Sequence, residues 1–120
     1  MAEFVDSNDG VVTVRLDGTL TQASLLRAQR AVADIIRVEG KVRILIIAEK
    51  FEGWERRGSW DDFTFQEQFD PFVEKMAIVG DKRWEDLALM FAAKGFRKFP
   101  IEYFGTDELE KAYSWVRAAP

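Results

Sequence analysis

The sequence contains no cysteine and no histidine. Those two absences exclude disulfides, thiolate and imidazole metal sites, cysteine–histidine nucleophile pairs and serine triads of the ordinary kind. Long apolar runs are missing too: no segment approaches the roughly eighteen uninterrupted apolar residues that a membrane-spanning helix requires. Positive charge is not in excess, since 17 Lys and Arg face 21 Asp and Glu for a formal net charge of -4. Phosphate contacts require a cationic surface, so no nucleic-acid partner is expected, although a local basic patch stays open. The start, Met1-Ala2-Glu3-Phe4-Val5-Asp6, lacks a basic segment followed by an apolar one, and the expected location is cytoplasmic. What is present is an ordinary globular composition, 48% hydrophobic and 32% charged over 120 residues. That length predicts a single domain over 1–120.

The order of elements can be read from periodicity. Residues 3–6 and 11–17 are short β-rich runs separated by Ser7-Asn8-Asp9-Gly10, whose Asp-Gly supplies the positive φ of a tight hairpin. Val12, Val14 and Leu16 alternate with Thr13, Arg15 and Asp17, the pattern of a strand with one wet face, placed toward an edge. Thr19 and Thr21 offer helix caps, with Gln22 completing a capping box on Thr19, and Leu25, Ala28, Val32 and Ile35-Ile36 recur at helical spacing. A helix is predicted from about 21 to 38, closed by Gly40. Val42 to Ala48 is an almost unbroken apolar run suited to a central parallel strand, and Met76 to Val79 is a second. Helical segments are predicted from near Ser59 and over Trp84 to Lys94. A last strand, Phe99 to Phe104, carries Pro100 and so belongs at an edge. Thr106 is the expected cap of a final helix whose stripe is Leu109, Ala112, Tyr113 and Val116. The order β-β-α-β-α-β-α-β-α predicts an α/β fold, a mostly parallel five-stranded sheet packed with four helices.

Four stretches carry a family resemblance: "GKVRIL" (Gly40 to Leu45), "FEGW" (Phe51 to Trp54), "WDD" (Trp60 to Asp62) and "AIVGDKRW" (Ala77 to Trp84). Together with the element order they resemble the SpoIIAA-like proteins, small bacterial relatives of the STAS domain, over essentially the whole chain. The resemblance implies a STAS-like fold, similar also to the CRAL-TRIO lipid-carrier type, and a binder of apolar ligands or membrane surfaces that is not an enzyme and holds no cofactor. In the sporulation anti-sigma factor antagonists a serine after the third strand is phosphorylated. Ser59 is the serine nearest that place, without the Asp-Ser-Ser-Gly type of surroundings. The resemblance therefore also implies a protein–protein regulatory module.

The residues themselves concentrate aromatics in "FEGWERRGSWDDF", Phe51 to Phe63. Plotted at about 100° per residue, Trp60 and Phe63 fall on one side of the following helix and Phe65, Phe69 and Phe72 on roughly the other. Either that helix is sandwiched in the core, or its second apolar face borders a cavity or solvent. Loops after the two central strands should meet at the carboxyl edge, where α/β proteins place ligands. The candidate ligand site there has apolar walls from Phe51, Trp54, Trp60, Phe63, Trp84, Leu87 and Phe91, in the cleft between the second and third helices. Arg56, Arg57, Lys82 and Arg83 form its polar mouth, with Gly53 and Gly58 bracketing a gate. The competing reading pairs those cations with Glu52, Glu55, Asp61, Asp62 or Glu85 on the surface. Lys94-Gly95-Phe96-Arg97-Lys98-Phe99 interleaves rings and bases, which suits anionic headgroups at a membrane surface or a plain helix terminus. An uncovered apolar lip would also favour a homodimer. Adjacent carboxylates such as Asp61-Asp62 and Glu85-Asp86 diverge by about 100° on a helix and cannot easily share a proton or metal, so no acid–base site or metal is expected.

Overall fold

The computed structural model describes residues 2–56, 64–92 and 97–118, with side chains from residue 5 onward. Strands β1 (Ala2–Asn8) and β2 (Val11–Leu20) form an antiparallel hairpin in which Asn8 pairs with Val11. The turn between them has positive φ at Asp9 (54°) and Gly10 (78°), the two-residue type I′ geometry whose twist matches the flanking strands.

Helix α1 (Gln22–Glu39) follows. Its cap is Thr21, whose Oγ1 accepts from the Ser24 amide at 3.1 Å while the Ser24 hydroxyl accepts from the Thr21 amide at 3.1 Å. The capping box thus joins Thr21 to Ser24 and not Thr19 to Gln22, because β2 extends through Leu20 and keeps Thr19 extended. Gly40, at φ 81°, ends the helix as expected.

The expected central strands are β3 (Val42–Ala48) and β5 (Val73–Gly80). Between them, where the sequence predicts a loop, Phe51–Trp54 is a strand, β4. It runs parallel to the far end of β2, pairing Gly18 with Phe51 and Leu20 with Trp54, while β3 pairs with the near end, Val11 to Arg15. β4 therefore carries the track of β3 onward past a kink at Glu49-Lys50, where the Gly18 amide donates to the Lys50 carbonyl at 2.9 Å. The sheet has six strands, one more than expected, in the order β1-β2-β3-β5-β6 with β4 on β2. All pairs are parallel except β1 with β2. Edge strand β6 (Ile101–Phe104) begins directly after Pro100, where a missing amide costs no ladder bond.

Between the central strands and the edge lie α2 (Thr64–Phe69), a 3₁₀ turn (Asp70–Phe72), a second 3₁₀ turn (Lys82–Trp84) and α3 (Glu85–Phe91). The chain ends in α4 (Leu109–Arg117). Thr106 does not cap it. Residues 106–107 form a turn, the helix starts after Glu108, and the Glu108 carboxylate accepts from the Gly105 amide at 2.8 Å.

The sheet separates two cores. Val12, Val14, Ile44, Met76 and Ile78 pack under Ala28, Val32 and Ile36 of α1, with Phe65 and Phe69 of α2 and Leu89 of α3 on the same side. Strands β2, β3, β5 and β6 step outward in one direction, so crossovers of one hand put all three connecting helices on one face. The other face holds Leu45, Ile47, Ala77 and Val79 under Ala112 and Val116 of α4. Lys75 is buried there with its ammonium donating to the Trp115 carbonyl at 2.9 Å and lying 4.7 Å over the Trp115 ring.

Candidate functional site

The carboxyl ends of β4 and β5 bring together part of the aromatic set chosen from sequence. Phe51 and Trp54 meet edge to face at 4.7 Å, Phe51 and Trp84 at 5.3 Å, and Trp54 and Trp84 at 5.9 Å. Phe91 joins through Trp54 at 5.3 Å. Gly53 permits this contact: its φ is 113°, and a Cβ there would lie 3.3 Å from Cη2 of Trp84. Phe51 is core, and the rings fill one another's space more than they line an opening. The indole N–H groups of Trp54 and Trp84 are both buried without an acceptor among the described residues.

The remaining described candidates disperse. Arg56, Lys82 and Arg83 are exposed. Arg83 lies over the Trp84 ring at 5.1 Å. Lys82 points to the turn before α4, where Glu108 is held below the ordinary carboxylate range by the Gly105 amide first, and by Lys111 and Lys82. Glu55 turns to the start of α1, accepting from the Gln22 amide at 2.6 Å. Leu87 is half exposed on α3. Arg57, Ser59, Trp60, Phe63, Lys94, Gly95 and Phe96 lie outside the described residues.

The concave feature beside this cluster was not assigned from sequence. A groove of about 330 Å³ runs between α1 and α2, floored by Leu25, Ala33, Phe65 and Phe69 and edged by Leu26 and Phe91. Adjoining it, between the helices and the sheet, lies a partly open inner cavity of about 120 Å³ walled by Val14, Ile44, Ile46 and Met76. Leu25, Gln29, Phe65, Gln66 and Phe91 border both spaces, so groove and cavity are adjacent. Phe65 and Phe69, 5.0 Å apart, pack toward the core and border the groove, while Trp60 and Phe63, the other face of the helical plot, lie outside the described residues. The oxygen of the Gln66 side-chain amide is buried there with no donor among the described residues, a condition costing about 1–3 kcal/mol unless water or a ligand relieves it.

The groove is polar at its rim in an unusual way. Its described lining has Gln22, Gln29, Gln66 and Gln68, two arginines, Arg30 and Arg37, and no carboxylate. Of the described residues chosen from sequence, only Phe91 borders it. The sequence carries one signal of it, four neutral glutamines at Gln22 and Gln29 of α1 and Gln66 and Gln68 of α2, at positions where a solvated helix more often carries charge.

On the opposite face, Thr13, Leu45 and Ile47 with Leu109 and Tyr113 of α4 border a shallower apolar depression. Among the described residues no three carboxylates converge to hold a metal ion, and no helix is long and apolar enough to cross a membrane.

The fold is that of a SpoIIAA-like domain, a mostly parallel sheet with three crossover helices on one face and a terminal helix on the other. The chain belongs to the SpoIIAA-like family, whose model matches residues 11–117. Among solved structures it is similar to an uncharacterized protein of the DUF3478 family with a SpoIIAA-like fold from Shewanella loihica PV-4. The TM-score is 0.72 at 16% identity, over 96% of this chain and 92% of that one. That similarity carries the architecture alone. No curated protein matches the sequence.

Proposed function

We propose that the protein is a non-enzymatic binding domain that takes an apolar or amphipathic, lipid-like ligand in the cleft between α1 and α2. The observation that supports this reading is the adjacency of an apolar cavity walled by core strands and a wider groove with a polar rim. The groove volume alone falls within the roughly 300–1,000 Å³ of small-molecule sites. A ligand with an apolar end and a polar end matches that gradient. This placement differs from the carboxyl-edge cleft expected from sequence: Phe91 stays in the site, while Phe51, Trp54 and Trp84 back it as a rigid aromatic wall.

Access is through α3. Leu87, Met90 and Phe91 are exposed to 49%, 73% and 37%, and Leu26 across the groove to 42%. An apolar ridge beside exposed Lys82 and Arg83 suits transient contact with an anionic membrane surface from which a lipid-like ligand is collected. Native mass spectrometry of freshly purified protein, followed by titration with a fluorescent fatty-acid probe and with anionic and neutral liposomes, tests the reading. Retained lipid or saturable probe binding supports it. An empty protein that binds neither probe nor liposome refutes it.

Family membership favours a second reading, a STAS-type regulatory module that docks a protein partner. In that case the α3 ridge is the docking face, and a stoichiometric protein partner appears in pull-downs in place of lipid in the mass spectrum.

A further inference from the structure

The two arginines on the groove rim go further than an apolar site requires. Arg30 and Arg37 stand one turn to either side of Ala33, which is buried and small and leaves the groove floor open between them. Seven residues of helix separate their Cα atoms by about 10.5 Å, a span that two extended arginine side chains close over a single group. Arg30 makes no ion pair among the described residues. Arg37 shares Asp34 at 2.9 Å, with both side chains largely exposed, and lies 5.5 Å over the Phe69 ring. A chain of net charge -4 thus presents two guanidinium groups, with Asp34 pairing Arg37 alone, where the described lining holds glutamines and aromatic rings.

Resting on the ligand reading above, we propose that the occupant of the cleft is a single-chain amphiphile with a carboxylate head. The head sits over Ala33 between Arg30 and Arg37, where planar guanidinium groups meet a carboxylate with directed, charge-assisted hydrogen bonds. The tail runs past Phe65 and Phe91 into the inner cavity. That cavity, about 120 Å³, partly open and lined mainly by apolar side chains, has room for a ring or a few methylenes. The rest of the chain lies along Leu25 and Leu26 in the groove. A cationic head would meet the two guanidinium groups, and a neutral head would leave them unused.

The experiment uses the full chain with the uncharged dye Nile red as reporter, displaced by octanoate, octan-1-ol or octylammonium at low salt. The expected result is displacement by octanoate at about tenfold lower concentration than by octan-1-ol, with octylammonium weakest. That preference disappears in the R30Q/R37Q double variant and persists in Arg15→Gln, a cation on the opposite sheet face that pairs with Glu49. Equal displacement by all three in the native protein overturns the carboxylate head while the cleft keeps its apolar ligand. Failure of Nile red to bind the native protein removes the cleft reading itself, and this inference with it. A preference for octanoate that survives R30Q/R37Q overturns the assignment of the head to these two residues.

Discussion

Arg97 and Asp70 are joined by two side-chain hydrogen bonds, Nε to Oδ2 at 2.9 Å and Nη2 to Oδ1, with only 10% and 22% of the two side chains exposed. Arg97 also donates to the Ala92 carbonyl and lies 4.7 Å over the Phe99 ring, and it borders the inner cavity. One guanidinium therefore ties the end of α2 to the end of α3 and closes the cavity on that side. Removing one partner leaves the other charge nearly buried, so Asp70→Ala is expected to lower stability by about 3 kcal/mol in urea denaturation. D70L/R97M, which removes both charges, is expected to lose less than Asp70→Ala alone. An Asp70→Ala variant within 0.5 kcal/mol of the native protein, about the scatter of ordinary surface changes, would mean that the pair does not hold these helices.

Gly80 ends β5 where the Tyr103 side chain crosses it. A Cβ on Gly80 would stand 2.6 Å from the Tyr103 hydroxyl and 3.3 Å from the Ala48 carbonyl oxygen, and the hydroxyl is fixed by donating to the Asp81 carbonyl at 2.7 Å. Gly80→Ala is expected to destabilise by about 1–3 kcal/mol through overpacking. Adding Tyr103→Phe removes the clashing oxygen, so the double variant should be less destabilised than the sum of the two single changes. Strict additivity in a double-mutant cycle would show that the two residues do not press on each other.

The same tyrosine gives an alkaline dependence. Burial chiefly, with the Glu85 and Asp81 carboxylates adding to it, pushes Tyr103 up to about 12 from its ordinary value of 10.0. The folded state then holds a proton that the unfolded state releases, so unfolding gains from pH 10 upward. The stabilisation is present in full below pH 10 and is lost progressively as pH rises through about 12. Urea midpoints measured from pH 8 to 11 should fall more steeply in the native protein than in Tyr103→Phe. Parallel curves would contradict the shift.

Gln29 is half buried at the boundary of groove and inner cavity, so a large ring there blocks passage between them. Gln29→Trp is expected to weaken Nile red binding at least about tenfold while leaving stability within about 0.5 kcal/mol, because the ring enters open space. Undiminished binding in this variant would place the dye elsewhere.

Much of this architecture was legible because its determinants are local. Asp9-Gly10 fixes a hairpin by backbone sterics, the almost unbroken apolar run Val42–Ala48 requires cover on both faces, and Gly40 stops α1 by its own conformation. Strand β4 was not legible, since Phe51-Glu52-Gly53-Trp54 carries an interior glycine and a glutamate that disfavour a strand. It is held extended by pairing with Gly18 to Leu20, some thirty residues back along the chain, a tertiary effect that overrides propensity. Thr106 misled for the complementary reason: Glu108 bonds the Gly105 amide and delays the helix start. The aromatic meeting of Trp54 with Trp84 followed from parallel topology, which places consecutive loops at one edge. The α1/α2 groove did not, because it is assembled from Leu25, Gln29 and Ala33 on one helix and Phe65, Gln66 and Phe69 on another. Only their packing reveals a space left unfilled.

Chemical-shift mapping by NMR tests the central claim most directly. Adding octanoate to the uniformly ¹⁵N-labelled full chain should shift amides of Leu25 to Arg37, Phe65 to Phe69 and Phe91 in a saturable manner, leaving those of α4 in place. Shifts absent throughout, or gathered instead on Leu109 to Ser114 and the strand face beneath them, would contradict a ligand site between α1 and α2.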